Sequence, residues 1–283
     1  MTERNQQIAD KLREAADLLA QQGANPFRVN AYRRAADTLA SLQQDVHDLL
    51  ALEGIEGLRA LPTIGDSIAT AIGEMVHTGR WSQLERLRGT LDPERLFQTI
   101  PSVGPKLARQ LHDTLHVDTL EALEIAAHDG RLETVPGVGA RRAAMIRATL
   151  ATMLGRSRGR RHAAATPPAI ETLLDVDQEY RHKAERGSLP SIAPRRFNPE
   201  AAAWLPVLHT QRGTWHYTVL FSNTARAHAL HRTRDWVVVY FNESDHEEGQ
   251  CTVVTETHGD LLGKRVVRGR ESECRAYYSK LTL

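Results

Sequence analysis

Three stretches of the chain repeat one short pattern, and that repeat limits the possible folds more than any bulk property does. They read Leu61-Pro-Thr-Ile-Gly65-Asp-Ser-Ile-Ala69, Ile100-Pro-Ser-Val-Gly104-Pro-Lys-Leu-Ala108 and Val135-Pro-Gly-Val-Gly139-Ala-Arg-Arg-Ala143. Each has an apolar residue, Pro, a small residue, an aliphatic residue and Gly, with Ala four residues after that Gly. The glycines stand 39 and 35 residues apart, and each copy lies between helix-patterned segments, such as Thr119–His128 and Ala140–Met153 around the third. This is the pattern of a helix, a tight turn and a second helix. Gly65, Gly104 and Gly139 are expected to supply positive φ and close backbone approach, while the aliphatic residue anchors the turn between its helices. The second helix then begins with N–H groups aimed outward, where its dipole favours an anion. Successive turn amides form a nest suited to a phosphate oxygen, and backbone contacts to phosphate carry no sequence information. One such turn is commonly only a turn, but three copies at near-regular spacing select the helix-hairpin-helix reading.

Around these hairpins the N-terminal half is helical throughout. Ile8, Leu12, Ala15, Ala16 and Leu19 form one amphipathic stripe, which Gly23 and Asn25-Pro26 end; Ala31, Ala35, Leu39 and Leu42 form a second. Both stripes read as core. After residue 168 the period changes. Pro168 to Arg186 reads as one helix, and Trp204–His209, Thr214–Phe221, Asp235–Phe241 and Gly249–Glu256 read as strands rich in Val, Trp, Tyr and Thr. Gln211-Arg-Gly213 and Asp245-His-Glu-Glu-Gly249 are the turns between them, with a short helix near Thr224–His231. The expected fold is α+β: an all-helical half with three hairpin motifs, then a smaller α+β domain around an antiparallel sheet. The expected division is 1–90, a small helical end-binding domain with the first hairpin; 91–153, a tandem hairpin domain; 154–168, a basic linker; and 169–283, an α+β domain of unassigned function.

Charge narrows the partners. The 283 residues hold 36 Lys/Arg and 35 Asp/Glu, so no global basic field recruits nucleic acid. The segment 1–153 carries 17 basic and 20 acidic residues, whereas 154–163 carries Arg156, Arg158, Arg160 and Arg161 and no acid. Local geometry must therefore do the recruiting, with the linker arginines adding diffuse phosphate contacts. No apolar run reaches the length of a spanning helix, and the polar Met1–Asp10 is no secretory leader. Two cysteines make no disulfide framework and fit a reducing cytoplasm.

Residues 3–153, including Asn25-Pro-Phe-Arg-Val-Asn-Ala-Tyr-Arg-Arg34 and the three hairpins, resemble the N-terminal region of family X DNA polymerases, especially prokaryotic ones. That resemblance implies a small domain that grips the 5′-phosphate at a nick or gap. It places the grip on Arg28, Tyr32 and Ser67. It also implies a monovalent cation, K or Na, bridging hairpin carbonyls to DNA phosphate. The donors would be Arg59, Leu61 and Ile64 in the first hairpin, Gln98, Ile100 and Val103 in the second, and by the repeat Glu133, Val135 and Val138 in the third. Further DNA contacts are assigned to Arg33, Arg34, Thr63, Gly65, Ser102, Gly104, Lys106, Gly137, Gly139, Arg141 and Arg142, and in the linker to Arg158, Arg160 and Arg161. Arg28, Arg33 and Arg34 read equally as a solvated helix face, and Tyr32 as an aromatic at the core edge.

The chain departs from that family in two places. Schiff-base lyase chemistry needs a primary amine, yet the family's lysine position is Ala71, and no lysine stands between Lys11 and Lys106. Lys11 could substitute only if folding brought it there. Two-metal nucleotidyl transfer needs converging carboxylates, but the only Asp-x-Asp, Asp175-Val-Asp177, lies in a predicted helix where i,i+2 residues face apart. Polymerase activity is therefore not expected.

The C-terminal part resembles no named family. Eight of the 13 histidines lie between His162 and His258, without the spacing of a metal site. Gly259-Asp-Leu-Leu-Gly263-Lys264 reads as a hairpin turn. Arg195-Arg196-Phe197, Arg226, Arg232 and Arg234, then Lys264-Arg265, Arg268 and Arg270, read either as a surface for single strands or as solvated charge. The tryptophans read as sheet core.

The expected function is sequence-independent, structure-sensing DNA binding in repair or end processing, in the cytoplasm at the nucleoid and away from membranes. Two other classes stay open: a lyase or nuclease with its catalytic groups in the C-terminal domain, and an adaptor for a repair protein.

Overall fold

A computed structural model of the chain describes residues 2–154, 167–243 and 248–281. Most of the stretch read as a linker, including Arg156, Arg158, Arg160 and Arg161, lies outside the described residues. The chain forms two compact units, residues 1–163 with 244–248, and residues 164–243 with 249–283.

The first unit is helical. Its helices are α1 (Glu3–Gln21), α2 (Pro26–Ser41), α3 (Val46–Arg59), α4 (Asp66–Thr78), α5 (Ser82–Arg88), α6 (Pro93–Phe97), α7 (Pro105–Leu115), α8 (Leu120–His128) and α9 (Ala140–Met153), with a 3-10 turn at Arg131–Thr134. The caps are readable in the residues. Thr2 Oγ1 accepts from Asn5 N, Asn25 Oδ1 accepts from Phe27 N with Pro26 at the first helical position, and Asp45 Oδ1 accepts from His47 N. The α1 stripe of Ile8, Leu12, Ala15, Ala16 and Leu19 is buried as expected. In α2 the buried face is Arg28, Val29, Tyr32, Ala35, Ala36 and Leu39, rotated from the expected stripe so that Ala31 and Leu42 sit at its margin.

Two apolar cores result, one from Ile8 to Leu87 and one from Leu96 to Leu154. Fully burying each Leu or Ile here stabilises the fold by about 1.5–3 kcal/mol. Asn5 is buried in the first core's wall, yet it is fully used. Its Nδ2 donates to Leu42 O (3.3 Å) and Gln44 O (2.8 Å), and its Oδ1 accepts from Val46 N (3.0 Å). One side chain thus fixes the link between α2 and α3.

The second unit is a six-stranded antiparallel meander in the order β1-β2-β3-β4-β5-β6, with helices packed on one face. The strands are β1 (Ser191–Ile192), β2 (Leu205–Arg212), β3 (Trp215–Phe221), β4 (Val237–Glu243), β5 (Gly249–Thr255) and β6 (Arg265–Val267). The helices are α10 (Ile170–Glu185), α11 (Ala225–Ala229) and α12 (Glu271–Leu281). Arg212 pairs with Trp215 across a two-residue turn in which Gly213 has φ 58°, a conformation that glycine adopts without steric penalty.

Side chains alternate along the strands. Leu208, Tyr217, Val219, Val237, Val239 and Val253 share a core with Leu173, Leu174, Val176 and Tyr180 of α10 and Cys274 of α12. Ile192, Leu205, Val207, Leu220, Val238 and Tyr240 form a second cluster on the other face. Both edge strands are short, two and three residues: β1 pairs only with Leu205 and Pro206 of β2, and β6 only with Val253–Thr255 of β5. The fold is α+β. Among the described residues no helix is long and apolar enough to cross a membrane.

Candidate nucleic-acid interface

The three repeats adopt one backbone. In each, the N–H of the aliphatic residue closes a four-residue turn on the carbonyl of the residue before Pro: Ile64 N to Leu61 O (3.3 Å), Val103 N to Ile100 O (3.1 Å) and Val138 N to Val135 O (3.0 Å). Proline at the second position and positive φ at the third make it a type II turn. The left-handed residue is Thr63 (66°), Ser102 (69°) or Gly137 (83°).

This corrects the sequence expectation. Gly65, Gly104 and Gly139 are not the left-handed residues; their φ values are −86°, −84° and −90°, extended backbone open to any residue. Internal packing does not require glycine either, since a Cβ added at Gly104 or Gly139 would meet nothing within 4 Å. Neither the turn nor the core explains these two glycines. An external group approaching the backbone would.

Each of these glycines is the N-cap of the next helix, and none provides a side-chain cap for α4, α7 or α9. The first intrahelical bonds run from Ala69, Ala108 and Ala143 N to the three glycine carbonyls. Those alanines are fully buried, as are Ile64, Val103 and Val138, whereas the Pro, the left-handed residue and the Gly are exposed in every copy. The anchors thus point inward and the amides outward.

The three N-termini differ in charge. Asp66 occupies the first position of α4 and pairs with Arg59 (2.5 Å), which places an acid beside the first turn. Pro105 at the start of α7 has no N–H, so the second turn offers one donor fewer, with exposed Lys106 next to it. The third retains all its amides and carries exposed Arg141 and Arg142, the latter donating from Nη1 to Gly137 O (2.7 Å). The third turn is the most favourable of the three for an anion. As for carbonyl donors, Leu61, Ile100 and Val135 oxygens already accept the turn hydrogen bond. Each has a second lone pair available to a weakly held cation.

The residues assigned to a phosphate grip are placed differently from one another. Arg28 is buried on the core side of α2. Tyr32 is 3% exposed, its ring 5.6 Å from Trp81 and its hydroxyl donating to Gln83 Oε1 (3.0 Å). Arg33 pairs with Asp17 (3.0 Å) and Arg34 is exposed. Ser67 is half-buried in the first turn of α4, while the Thr63 hydroxyl meets that of Thr38 (2.9 Å) near the far end of α2. Arg28 and Thr38 are ten residues apart on α2, about 15 Å along the axis. Arg28 and the first turn therefore lie at different levels of that helix.

Lys11 does not reach the lyase position. Its Nζ donates to Gly79 O (2.8 Å) just past the C-terminus of α4, eight residues beyond buried Ala71, or about 12 Å along the helix. Burial, and secondarily Arg88, lowers its pKa from the ordinary lysine value. Nearby Glu74 accepts from Ser82 N (2.9 Å) and Oγ (3.3 Å). Burial first, and the charge of Glu121 second, hold its carboxyl well above the usual range.

In the second unit, the two carboxylates of Asp175-Val-Asp177 have separate structural partners. Asp175 pairs with Arg212 (2.7 Å), and buried Asp177 takes two bonds from Arg265 (2.6 and 3.0 Å) and one from Arg181 (3.1 Å). Among the described residues no three His, Cys, Asp or Glu side chains cluster as metal ligands. His209 bonds Thr218 (3.1 Å) across the β2–β3 ladder, and His228 bonds Asn223 (2.6 Å).

Comparison with known proteins falls on the helical half. Residues 3–81 match a helix-hairpin-helix domain family, and residues 94–152 match a SAM-like helix-hairpin-helix tandem family. Among curated proteins, the chain is 32% identical over 119 residues to the DNA polymerase/3′-5′ exonuclease PolX of Bacillus subtilis (strain 168). That alignment covers 41% of this chain and 20% of the relative, so the likeness spans about a fifth of that protein. The N-terminal part of the chain is therefore a helix-hairpin-helix region related to that of the family X DNA polymerases.

Proposed function

We propose that the protein binds DNA without regard to sequence and senses its structure, holding nicks, gaps and 5′-phosphorylated ends in repair or end processing. One observation carries this reading: uncapped helix N-termini at Gly104 and Gly139, where neither φ nor packing demands glycine, leave the backbone open to a phosphate. The Thr63, Gly65, Ser102, Gly104, Gly137 and Gly139 amides would contact the strand, with Lys106, Arg141 and Arg142 supplying charge. Ser67 would meet a 5′-phosphate beside the first turn and Arg28, at another level of α2, a separate phosphate by turning its guanidinium outward, while Arg33, Arg34, Arg158, Arg160 and Arg161 add diffuse contacts. Tyr32 supports that surface from within, since its hydroxyl is engaged by Gln83.

A potassium or sodium ion at the carbonyls of Arg59, Leu61, Ile64, Gln98, Ile100, Val103, Glu133, Val135 and Val138 suits neutral oxygen donors and would bridge to phosphate. The protein would work in the cytoplasm at the nucleoid, away from membranes. Relatedness to a DNA polymerase/exonuclease supports DNA as the partner.

The test is to incubate the full chain with intact, nicked, gapped, flapped and abasic duplexes, with and without Mg²⁺ or Mn²⁺. Mobility shift and a denaturing gel are then read together. Preferential retention of gapped, 5′-phosphorylated duplex with every strand intact supports binding as the function. Strand cleavage would assign an enzyme instead, and equal retention of all duplexes would remove structure sensing.

A further inference from the structure

We propose that the second unit carries its own site for an unpaired DNA strand, a stacking platform centred on Phe197 in a pair of arginine-rich connections. Two connections meet at one end of the sheet: residues 193–204, leading into β2, and residues 222–236, leaving β3 through α11. They are fastened together. Asn223 Nδ2 donates to Arg196 O (3.1 Å), and its Oδ1 bonds His228 Nε2 (2.6 Å). The His228 ring lies 4.4 Å from the Phe197 ring at 36°, and Trp204 meets His228 edge-on at 6.4 Å. Asn198 closes the loop on Ala202 through both its amide atoms (2.8 and 3.1 Å). Burial first, and the Arg196 charge second, lower the His228 pKa from the ordinary histidine value.

On this support Phe197 is 47% exposed, with φ 54°; Ala201 (51°) and His231 (53°) share that left-handed conformation. Such a backbone costs about 1–2 kcal/mol for a non-glycine residue, and strain of this kind collects where a side chain must be presented. An apolar ring pushed into solvent at that cost needs a ligand to justify it.

Charge selects the ligand. Between residues 193 and 236 the sequence has six arginines and two acids, Glu200 and Asp235, the latter paired with Arg265 (2.8 Å) and Arg232 (3.6 Å). Arg212 belongs to α10 through Asp175 and Glu179. The other five, Arg195, Arg196, Arg226, Arg232 and Arg234, belong to the two connections that meet at this end of the sheet, and the Arg196 guanidinium lies 5.3 Å from the Phe197 centroid. A flat ring among guanidinium groups fits a base stacked between phosphates. Paired bases have both faces covered by neighbours, so the occupant is a single strand, held without base-edge readout. This site uses none of the hairpin residues and stands apart from the function proposed for them.

The experiment uses the full chain and three fluorescent probes read by anisotropy: dT15, rU15, and a blunt, fully paired duplex with one 5′-phosphorylated nick. Base stacking contributes about 1–3 kcal/mol per base, so Phe197→Ala should weaken dT15 about 5- to 100-fold. The same variant should leave the nicked duplex unchanged, and Phe197→Trp should hold dT15 at least as well as the wild type. Arg195→Ala/Arg226→Ala/Arg234→Ala should lower the salt slope for dT15 by about 2, at about 0.7 per phosphate contact.

Unchanged dT15 affinity in both the Phe197→Ala and triple-arginine variants overturns the proposal. So does equal loss in Phe197→Ala and Phe197→Trp, or tighter binding of rU15 than of dT15. Failure on the nicked duplex alone would count against the hairpins and leave this site standing.

Discussion

Substituting alanine for the hairpin glycines separates contact from architecture. Gly139 has φ −90° and ψ 172°, and a methyl group there meets nothing within 4 Å. Alanine is a poorer N-cap than glycine by up to about 1 kcal/mol, but it also restrains the unfolded chain by about 0.4–1 kcal/mol. The two effects oppose each other, so Gly139→Ala should change stability by less than about 1 kcal/mol. Gly137, two residues earlier, has φ 83°, and Gly137→Ala should cost about 1–2 kcal/mol because L-residues clash there. Binding should show the reverse order. A hydrogen bond to a charged group contributes about 1.5–3 kcal/mol, so a methyl group that keeps phosphate off the Gly139 amides should weaken binding about 10- to 100-fold. Gly104→Ala should lose less, because Pro105 already removes one donor from that turn. Urea denaturation gives the stabilities, and anisotropy on a 5′-phosphorylated gapped duplex at low salt gives the affinities. Wild-type affinity in Gly139→Ala would refute the reasoning, as would a loss of more than 2 kcal/mol in its stability.

Other expectations follow from charge. Replacing Arg156, Arg158, Arg160 and Arg161 with alanine should reduce the salt slope for nicked duplex by up to about 4, at about 0.9 per phosphate; an unchanged slope removes the linker from the interface. Burial first, and the charge of Glu121 second, raise the Glu74 pKa well above the ordinary value, so between the unfolded and folded values the native state binds a proton that the unfolded chain releases. Its carboxyl therefore favours the fold fully below the ordinary Glu pKa and progressively less as pH rises towards the folded value. Glu74→Gln should remove that decline, and its urea midpoint should exceed the wild type's by a margin that widens with pH; a constant margin would contradict this. Arg265→Ala strips two bonds from Asp177, whose side chain is 1% exposed, and should cost about 3–5 kcal/mol by urea denaturation. A loss under 1 kcal/mol would mean that Arg181 suffices.

The hairpins were legible because their signal is local: Pro, an aliphatic and Gly at fixed spacing specify a turn wherever they occur. The assignment of positive φ to Gly65, Gly104 and Gly139 failed on turn chemistry. In a type II turn the left-handed residue follows proline, and only Gly137 of the three residues there is glycine. The burial of Arg28 and Tyr32 was available too, since positions 28, 32, 35, 36 and 39 recur at helical period with the core. A charged and a hydroxylated residue hid the stripe. Helix α12 was missed although Cys274, Tyr277, Tyr278 and Leu281 follow the i, i+3, i+4, i+7 rule. Strands of two and three residues, β1 and β6, are too short to show a period. The tie from Asn5 to residues 42–46 and the Arg265–Asp177 pair span 41 and 88 positions, contacts that no single-sequence pattern announces. The Phe197 platform depends likewise on two loops meeting at one sheet end, although Arg195-Arg196-Phe197 is a basic and aromatic run in the sequence.

Amide hydrogen exchange of the full chain, with and without saturating 5′-phosphorylated gapped duplex, tests the central claim most directly. Slowed exchange should fall on peptides covering 100–108 and 135–143, and less on 61–69, where Asp66 sits beside the turn. Saturated DNA binding that leaves all three turns exchanging at their free rates would contradict the account.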